Sequence, residues 1–321
     1  MTSIPWGEDR LLPSYESYSW VLDGAAHADS EPAIDLTATL VRRNPPHSSR
    51  AVIYLHGWSD YFFQTHLADF WYEQGYDFYA VELRRYGRNL RPGLLAGYIT
   101  DLDDYFTEMD EAYRLVASEG HDKITILGHS TGGLITSLWA DHTDYPLNGL
   151  ILNSPWLDMH EPDVFYRALR PLISSVASIK PTSAIHIPDN GLYWQSISND
   201  FHGEWQIDQR YKSHPGFQIR FGWGKAILTG QTHIENGLSI QTPILAMMST
   251  SKNLSPKTWD PSLREADLVL DVDRLAAAAH HLGRQVTIVR IDKGMHDLIL
   301  SPPPVRQYVF DTMAHWARCY L

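Results

Sequence analysis

The chain has 321 residues, 44% of them hydrophobic, and a formal net charge of −12. That is enough apolar material to fill one large α/β domain with an insertion, or two ordinary domains. The acidic balance excludes nucleic acid as a partner held by the overall field. The single cysteine, Cys319, excludes an internal disulfide, and its place beside the C-terminus suits a small buried apolar side chain.

The start, "MTSIPWGEDRLLPSYESY", has no basic segment followed by an apolar run, so it is unlike a secretory signal. No stretch is apolar for the roughly 20 residues that span a bilayer, and the expected location is cytoplasmic. "AIDLTATLVRR" alternates and precedes the "NPPHSS" turn, which predicts an antiparallel strand leading into a sheet. From there strand and helix alternate. "AVIYLHG" and "YDFYAVEL" read as strands around the helical "HLADFWYEQG". A helix over about Ile99 to Ser118 is followed by the strand "KITILG", the helix "GGLITSLWADH" and the strand "LNGLILNS". This order predicts a mostly parallel central sheet with helices on both faces.

After Ser154 the rhythm fails. Residues 158–231 are rich in prolines, short helical stretches and aromatics such as Tyr193, Trp194, Trp205, Tyr211 and Trp223, and read as an inserted cap. The division is then 1–157 for the first part of the core, 158–231 for the cap and 232–321 for the second part. The core resumes with the strand "TPILAMMST", the helix "DVDRLAAAAHHLG" ending at a glycine, the strand "RQVTIVRI" and a C-terminal helix from "PPPV".

Within "ITILGHSTGGLITSLWA", Gly128, Ser130 and Gly132 form a Gly-x-Ser-x-Gly between a predicted strand and a predicted helix. The bare pattern is common by chance, but in this context a tight turn lifts the serine hydroxyl above the sheet edge. The next amide, that of Thr131, opens a helix, where negative charge is stabilised.

In this arrangement the chain resembles the α/β-hydrolase superfamily. "GHSTGG" is similar to the elbow of its serine aminopeptidase-like, monoacylglycerol lipase and lysophospholipase branch. The resemblance covers nearly everything outside the cap, and "LHGWSD" supplies the branch's His-Gly pair with His56 and Gly57. It implies that the Trp58 and Thr131 amides form an oxyanion hole. A neutral serine needs a base, and histidine fits the proton cycle best. Of sixteen histidines, His296 in "DKGMHDLILS" stands where the family places its base. His56 and His129 occupy motif positions with structural roles. No His or Cys spacing suggests a metal, and no cofactor is required.

The acid departs from the family pattern, because Lys252 and Asn253 stand directly after "ILAMMST". Asp267 is the choice, since "ADLVLDVDRLA" resembles the family segment in which the acid precedes a short apolar stretch and a helix. Asp271, Asp260 and Asp158 are alternatives, and Asp271 also suits a helix N-cap. Arg84, Arg85 and Arg88 read as salt-bridged loop structure.

The expected function is hydrolysis of carboxylic esters with an apolar acyl group through an acyl-enzyme. An acyltransferase, or a low-turnover receptor or scaffold, would use the same fold. An aminopeptidase would need cap carboxylates for the amine, for which Glu161, Asp163, Asp200, Glu204 and Asp208 are candidates.

Overall fold

The computed structural model describes residues 4–43, 46–158, 164–187 and 189–321, with the backbone alone for 164–169. Nine strands form one sheet: β1 (Gly7–Glu8), β2 (Glu16–Val21), β3 (Thr37–Arg42), β4 (Arg50–Leu55), β5 (Asp77–Glu82), β6 (Lys123–His129), β7 (Leu147–Asn153), β8 (Ile244–Ser249) and β9 (Val286–Ile291). Their spatial order is β1-β2-β3-β5-β4-β6-β7-β8-β9. The first three strands pair antiparallel, as does β3 with β5, and the remaining pairs are parallel. The mostly parallel sheet agrees with the architecture that the sequence resemblance implies.

The sequence pattern explains why the sheet is covered on both sides. Along β4, Ala51, Ile53 and Leu55 point into one apolar cluster, whereas Val52 and Tyr54 point into the other. Such continuous apolar strands suit a parallel sheet buried on both faces. Helices α1 (Thr65–Glu73) and α8 (Pro303–Tyr320) supply one cover, through Leu67, Trp71, Val309 and Met313. Helices α2 (Phe106–Ser118), α3 (Thr131–His142) and α7 (Val272–Ala279) supply the other, through Met109, Leu138 and Leu275. Between β7 and β8 lie α4 (Val164–Ile179), α5 (Leu192–Ile197) and α6 (Phe221–Asn236). The expected boundary at Gln231 therefore falls inside a helix.

Some expectations change. The hairpin of β1 and β2 was not anticipated, although Tyr18 and Trp20 alternate with Ser17 and Ser19. Helix α7 stops at Ala279 rather than running to Gly283, which lies in a bridge beside Ile240. Cys319 is exposed, not buried: the buried stripe of α8 runs through Val309, Met313, Trp316 and Ala317, and the cysteine points off it. The arginines do build loop structure. Arg84 pairs with Glu108 at 2.6 Å, Arg85 with Glu31 at 2.5 Å, and Arg88 with Asp9 at 2.7 Å and with Glu82. Among the described residues no helix is long and apolar enough to cross a membrane.

Chain direction places the site. Strand β4 is flanked by β5 on one side and β6 on the other, so the loops leaving β4 and β6 diverge and open a crevice at their C-terminal ends. His56, Gly57 and Trp58 follow β4 at that crevice, and Ser130 follows β6.

Candidate active site

Ser130 joins β6 to α3 with φ 52° and ψ −117°, a conformation that costs a non-glycine residue about 1–3 kcal/mol. Neighbouring backbone holds it there. Ser130 N–H donates to the Asn153 carbonyl at 3.0 Å, and its own carbonyl accepts from Gly133 at 2.9 Å and from Trp156 at 2.9 Å. Two glycines let the loop after β4 press against this turn. A Cβ on Gly57 would lie 3.1 Å from the Ser130 Cβ, and one on Gly132 would overlap the carbonyls of Leu55 and His56. The close approach brings the Trp58 segment beside the serine. Among the described residues, no protein acceptor takes the N–H of Trp58 or Thr131.

The Ser130 hydroxyl lies 2.9 Å from His296 Nε2. His296 Nδ1 donates to Asp267 Oδ2, also at 2.9 Å. The other Asp267 oxygen accepts from the Val269 and Leu270 N–H groups at 2.7 and 2.8 Å, so the carboxylate is aimed as well as placed. Serine, histidine and aspartate are all buried. Asp267 arrives by a detour. Its N–H donates to Ser251 O at 3.0 Å and its carbonyl accepts from Asn253 N–H at 2.8 Å, which fastens it beside the end of β8 while the intervening chain loops outward.

The other acids lie elsewhere. Asp271 caps α7, accepting from the Asp273 and Arg274 amides. Asp260 caps the short helix at Pro261–Glu265, and Asp158 pairs with Arg274 at 2.8 Å. His56 and His129 bond to backbone: the His56 ring to Gly57 O at 2.8 Å and the His129 ring to Asn153 O at 3.1 Å. Burial lowers the pKa of both, despite the nearby carboxylates Asp60 and, for His129, Asp297.

Several supports around His296 were not legible as site residues. Asn153, at the end of β7, donates to Asp297 at 2.7 Å and accepts from Leu298 N–H at 3.1 Å, which bolts the histidine loop to the sheet. The Tyr193 hydroxyl accepts from Asp297 N–H at 3.2 Å, and its ring stands edge-on to His296. Lys212 forms a buried 2.9 Å ion pair with Asp60, two residues beyond Trp58. Burial pushes the Asp60 carboxyl up, but Lys212 foremost outweighs it, so the pKa lies below the ordinary value. The one available signal was adjacency: Asp60 and Asp297 flank motif residues, whereas nothing local marks Lys212.

A cavity of about 860 Å³ opens above Ser130 and His296. Trp58, Tyr193, Trp194, Ile197 and Phe217 line it, with polar wall from Ser59, His129 and Lys212. Its roof is tied to the sheet loops. Phe217 N–H donates to Ser59 Oγ at 3.2 Å, Asp208 N–H to the Tyr61 hydroxyl at 3.0 Å, and Trp223 lies against Trp58 with ring centroids 4.0 Å apart. Further along, Glu204 pairs with Arg264 at 2.6 Å, so the detour before Asp267 also grips the roof. Among the described residues no cluster of His, Cys, Asp or Glu is set to hold a metal ion.

The fold recurs in solved structures. A monoacylglycerol lipase of Paleococcus ferrophilus superposes with a TM-score of 0.63 at 16% identity, covering 90% of this chain and 100% of its own. A soluble variant of the Saccharomyces cerevisiae monoglyceride lipase, in complex with a substrate analog, gives 0.65 at 15% identity over 99% of both chains. A thermostable carboxyl esterase of Bacillus coagulans, in complex with glycerol, gives 0.62 at 11% identity, over 96% of this chain and 99% of that one. At such identities the likeness carries the fold alone. No curated protein matches the chain in sequence. Residues 46–302 match the family Hydrolase_4, described as serine aminopeptidase, S33, and over that span, most of its length, the chain belongs to this α/β-hydrolase family.

Proposed function

We propose that the protein is a serine hydrolase that cleaves carboxylic esters through an acyl-enzyme. The observation that carries this reading is the hydrogen-bonded chain from Ser130 through His296 to Asp267 under an open cavity. His296 Nε2 takes the Ser130 proton as Oγ attacks the carbonyl carbon. The Trp58 and Thr131 N–H groups receive the oxyanion, and each such donor is worth about 3–4 kcal/mol. Asp267 holds the imidazole in the tautomer with a proton on Nδ1 and stabilises its charged form. His296 then protonates the departing alcohol, and water, deprotonated by the same histidine, releases the acid. The described residues of the 158–231 segment act as the cap that roofs the cavity.

Ester substrates are favoured over peptides with a free amino terminus. Among the described cavity-lining residues the acid is Asp189, half-exposed at the wall. Of the candidate carboxylates, Glu204 and Asp208 are engaged by Arg264 and Arg210, Asp200 lies outside the lining, and Glu161 and Asp163 lie outside the described residues. The aromatic wall favours an apolar acyl chain. Each buried methylene contributes about 0.8 kcal/mol. With nitrophenyl esters from acetate to dodecanoate, kcat/KM should climb several-fold per carbon until the cavity is full, and Ser130 should be labelled by a fluorophosphonate. A maximum at acetate with steady decline would remove the acyl pocket, and an unlabelled Ser130 would remove the mechanism.

A further inference from the structure

The cavity wall carries charged groups of opposite sign that differ in exposure. Asp189 is 49% exposed, beside His214 at 3.7 Å. Lys212, also of the wall, is 8% exposed and is paired with the Asp60 carboxylate that follows the Trp58 turn, with the Phe63 ring centroid 6.0 Å from its ammonium. An ammonium carries three donors. Asp60 Oδ1 occupies one, and among the described residues no other hydrogen-bond acceptor stands at Lys212 Nζ. Asp60 is 1% exposed and is not among the cavity-lining residues, whereas Lys212 is. The pair is neutral as a unit, but it is its cationic member that shares the cavity lining with Ser130 and His296. Leaving buried ammonium donors unfilled is costly, and an anionic oxygen is the group that fills them best.

Resting on the reading of Ser130 as nucleophile, we propose that Lys212 is an anion-recognition residue within the cavity, and that the substrate carries a carboxylate or phosphate besides its ester bond. The ammonium serves either oxyanion, on either side of the ester. A buried charged hydrogen bond of this kind changes kcat/KM by about tenfold or more.

The test compares matched esters. One pair is 4-nitrophenyl hexanoate and the 4-nitrophenyl half-ester of adipic acid, which places a carboxylate on the acyl side. The other set is phenyl hexanoate and its 4-carboxylate and 4-phosphate derivatives, which place the anion on the alcohol side. Each enzymatic ratio of charged to neutral kcat/KM is divided by the ratio for uncatalysed hydrolysis. The wild-type protein should favour at least one charged member by about tenfold or more. Lys212→Met should collapse that preference, and Lys212→Arg should keep most of it. Lys212→Gln replaces the Met variant should that one not fold, and it too must reduce the preference. A clamp that merely joined roof to sheet would lower charged and neutral esters alike. No charged preference in the wild type, or one that survives loss of the ammonium, overturns the proposal. Fluorophosphonate labelling of Ser130 and turnover of the neutral hexanoates report on the nucleophile separately. A labelled, active enzyme without charged preference defeats the lysine assignment alone, and an unlabelled, inactive one defeats both.

Discussion

Ser130 and Asp267 stand at the two ends of one hydrogen-bonded chain, yet they reach it by opposite routes. The serine is set by its neighbours: a strand ends, glycines allow an abrupt turn, and a helix begins, all within a few residues. The aspartate is set by partners distant along the chain, since backbone bonds to Ser251 and Asn253 bring it back to the end of β8 after the segment that carries Arg264 out to Glu204. A locally built site carries its own strain and can be recognised as a motif. A site closed by a long excursion relies on tertiary hydrogen bonds, and several aspartates compete for it on paper.

The largest effect should come from the local end. Ser130→Ala should lower kcat on the order of a millionfold while leaving the thermal transition in place, because the nucleophile of a serine triad acts as a unit with its base. Retention of more than about a hundredth of the activity would show that another group does the chemistry.

At the other end, Asp267→Asn should preserve shape but favour the wrong imidazole tautomer, with a loss of roughly ten-thousandfold in kcat. Asp271→Asn keeps the α7 cap, because an asparagine oxygen accepts from the same amides, and loses only the charge of the pair with Lys252, so it should change stability by less than about 1 kcal/mol with kcat nearly intact. Reversal of these two phenotypes, read by steady-state kinetics and denaturant unfolding, would move the acid four residues along the chain.

Gly132→Ala tests whether the local turn also sets the proposed oxyanion donors. The added Cβ meets the Leu55 and His56 carbonyls, so the strand end that carries Trp58 must withdraw. Displacing one such donor corresponds to about a hundred- to thousandfold in kcat. A loss under about threefold would mean that the two loops are less tightly coupled than their packing requires.

The smallest effect separates the ends by pH. His66 on α1 donates from Nε2 to the Ile299 carbonyl at 3.0 Å, just beyond His296, and packs on Trp205 of the roof. Burial lowers its pKa to about 4, only partly opposed by that carbonyl. The folded state keeps it neutral while the unfolded chain takes up a proton near pH 6.5. Stability is therefore full above about pH 6.5 and falls as the pH drops towards 4, by at most about 3 kcal/mol. Denaturant midpoints between pH 7.5 and 4 should slope less in His66→Phe than in the wild type. Parallel curves would place the titration on other groups.

How much of this was legible followed from how local each feature is. The parallel strands, the turn at Ser130 and the position of His296 agree with their sequence patterns, because apolar runs and glycine-flanked turns act over a few residues. The capping role of Asp271 and the pairing of the three loop arginines were also readable, from position and charge. The β1–β2 hairpin was not, since β2 pairs with β3 across intervening loops and its outer face is only partly covered. The exposure of Cys319 depended on the rotation of α8 against the sheet, which a terminal position does not reveal.

By itself, then, the sequence determined the order of strands and helices, the strained turn that exposes a serine, and a histidine on a loop after the last strand. These depend on periodicity and backbone sterics within short windows. The tertiary structure decided which aspartate faces His296, how closely the Trp58 turn lies to Ser130, and that a lysine of the roof reaches Asp60 beneath it. Those are distances between segments far apart in the chain, set by packing of the whole sheet and its roof, and no local pattern encodes them.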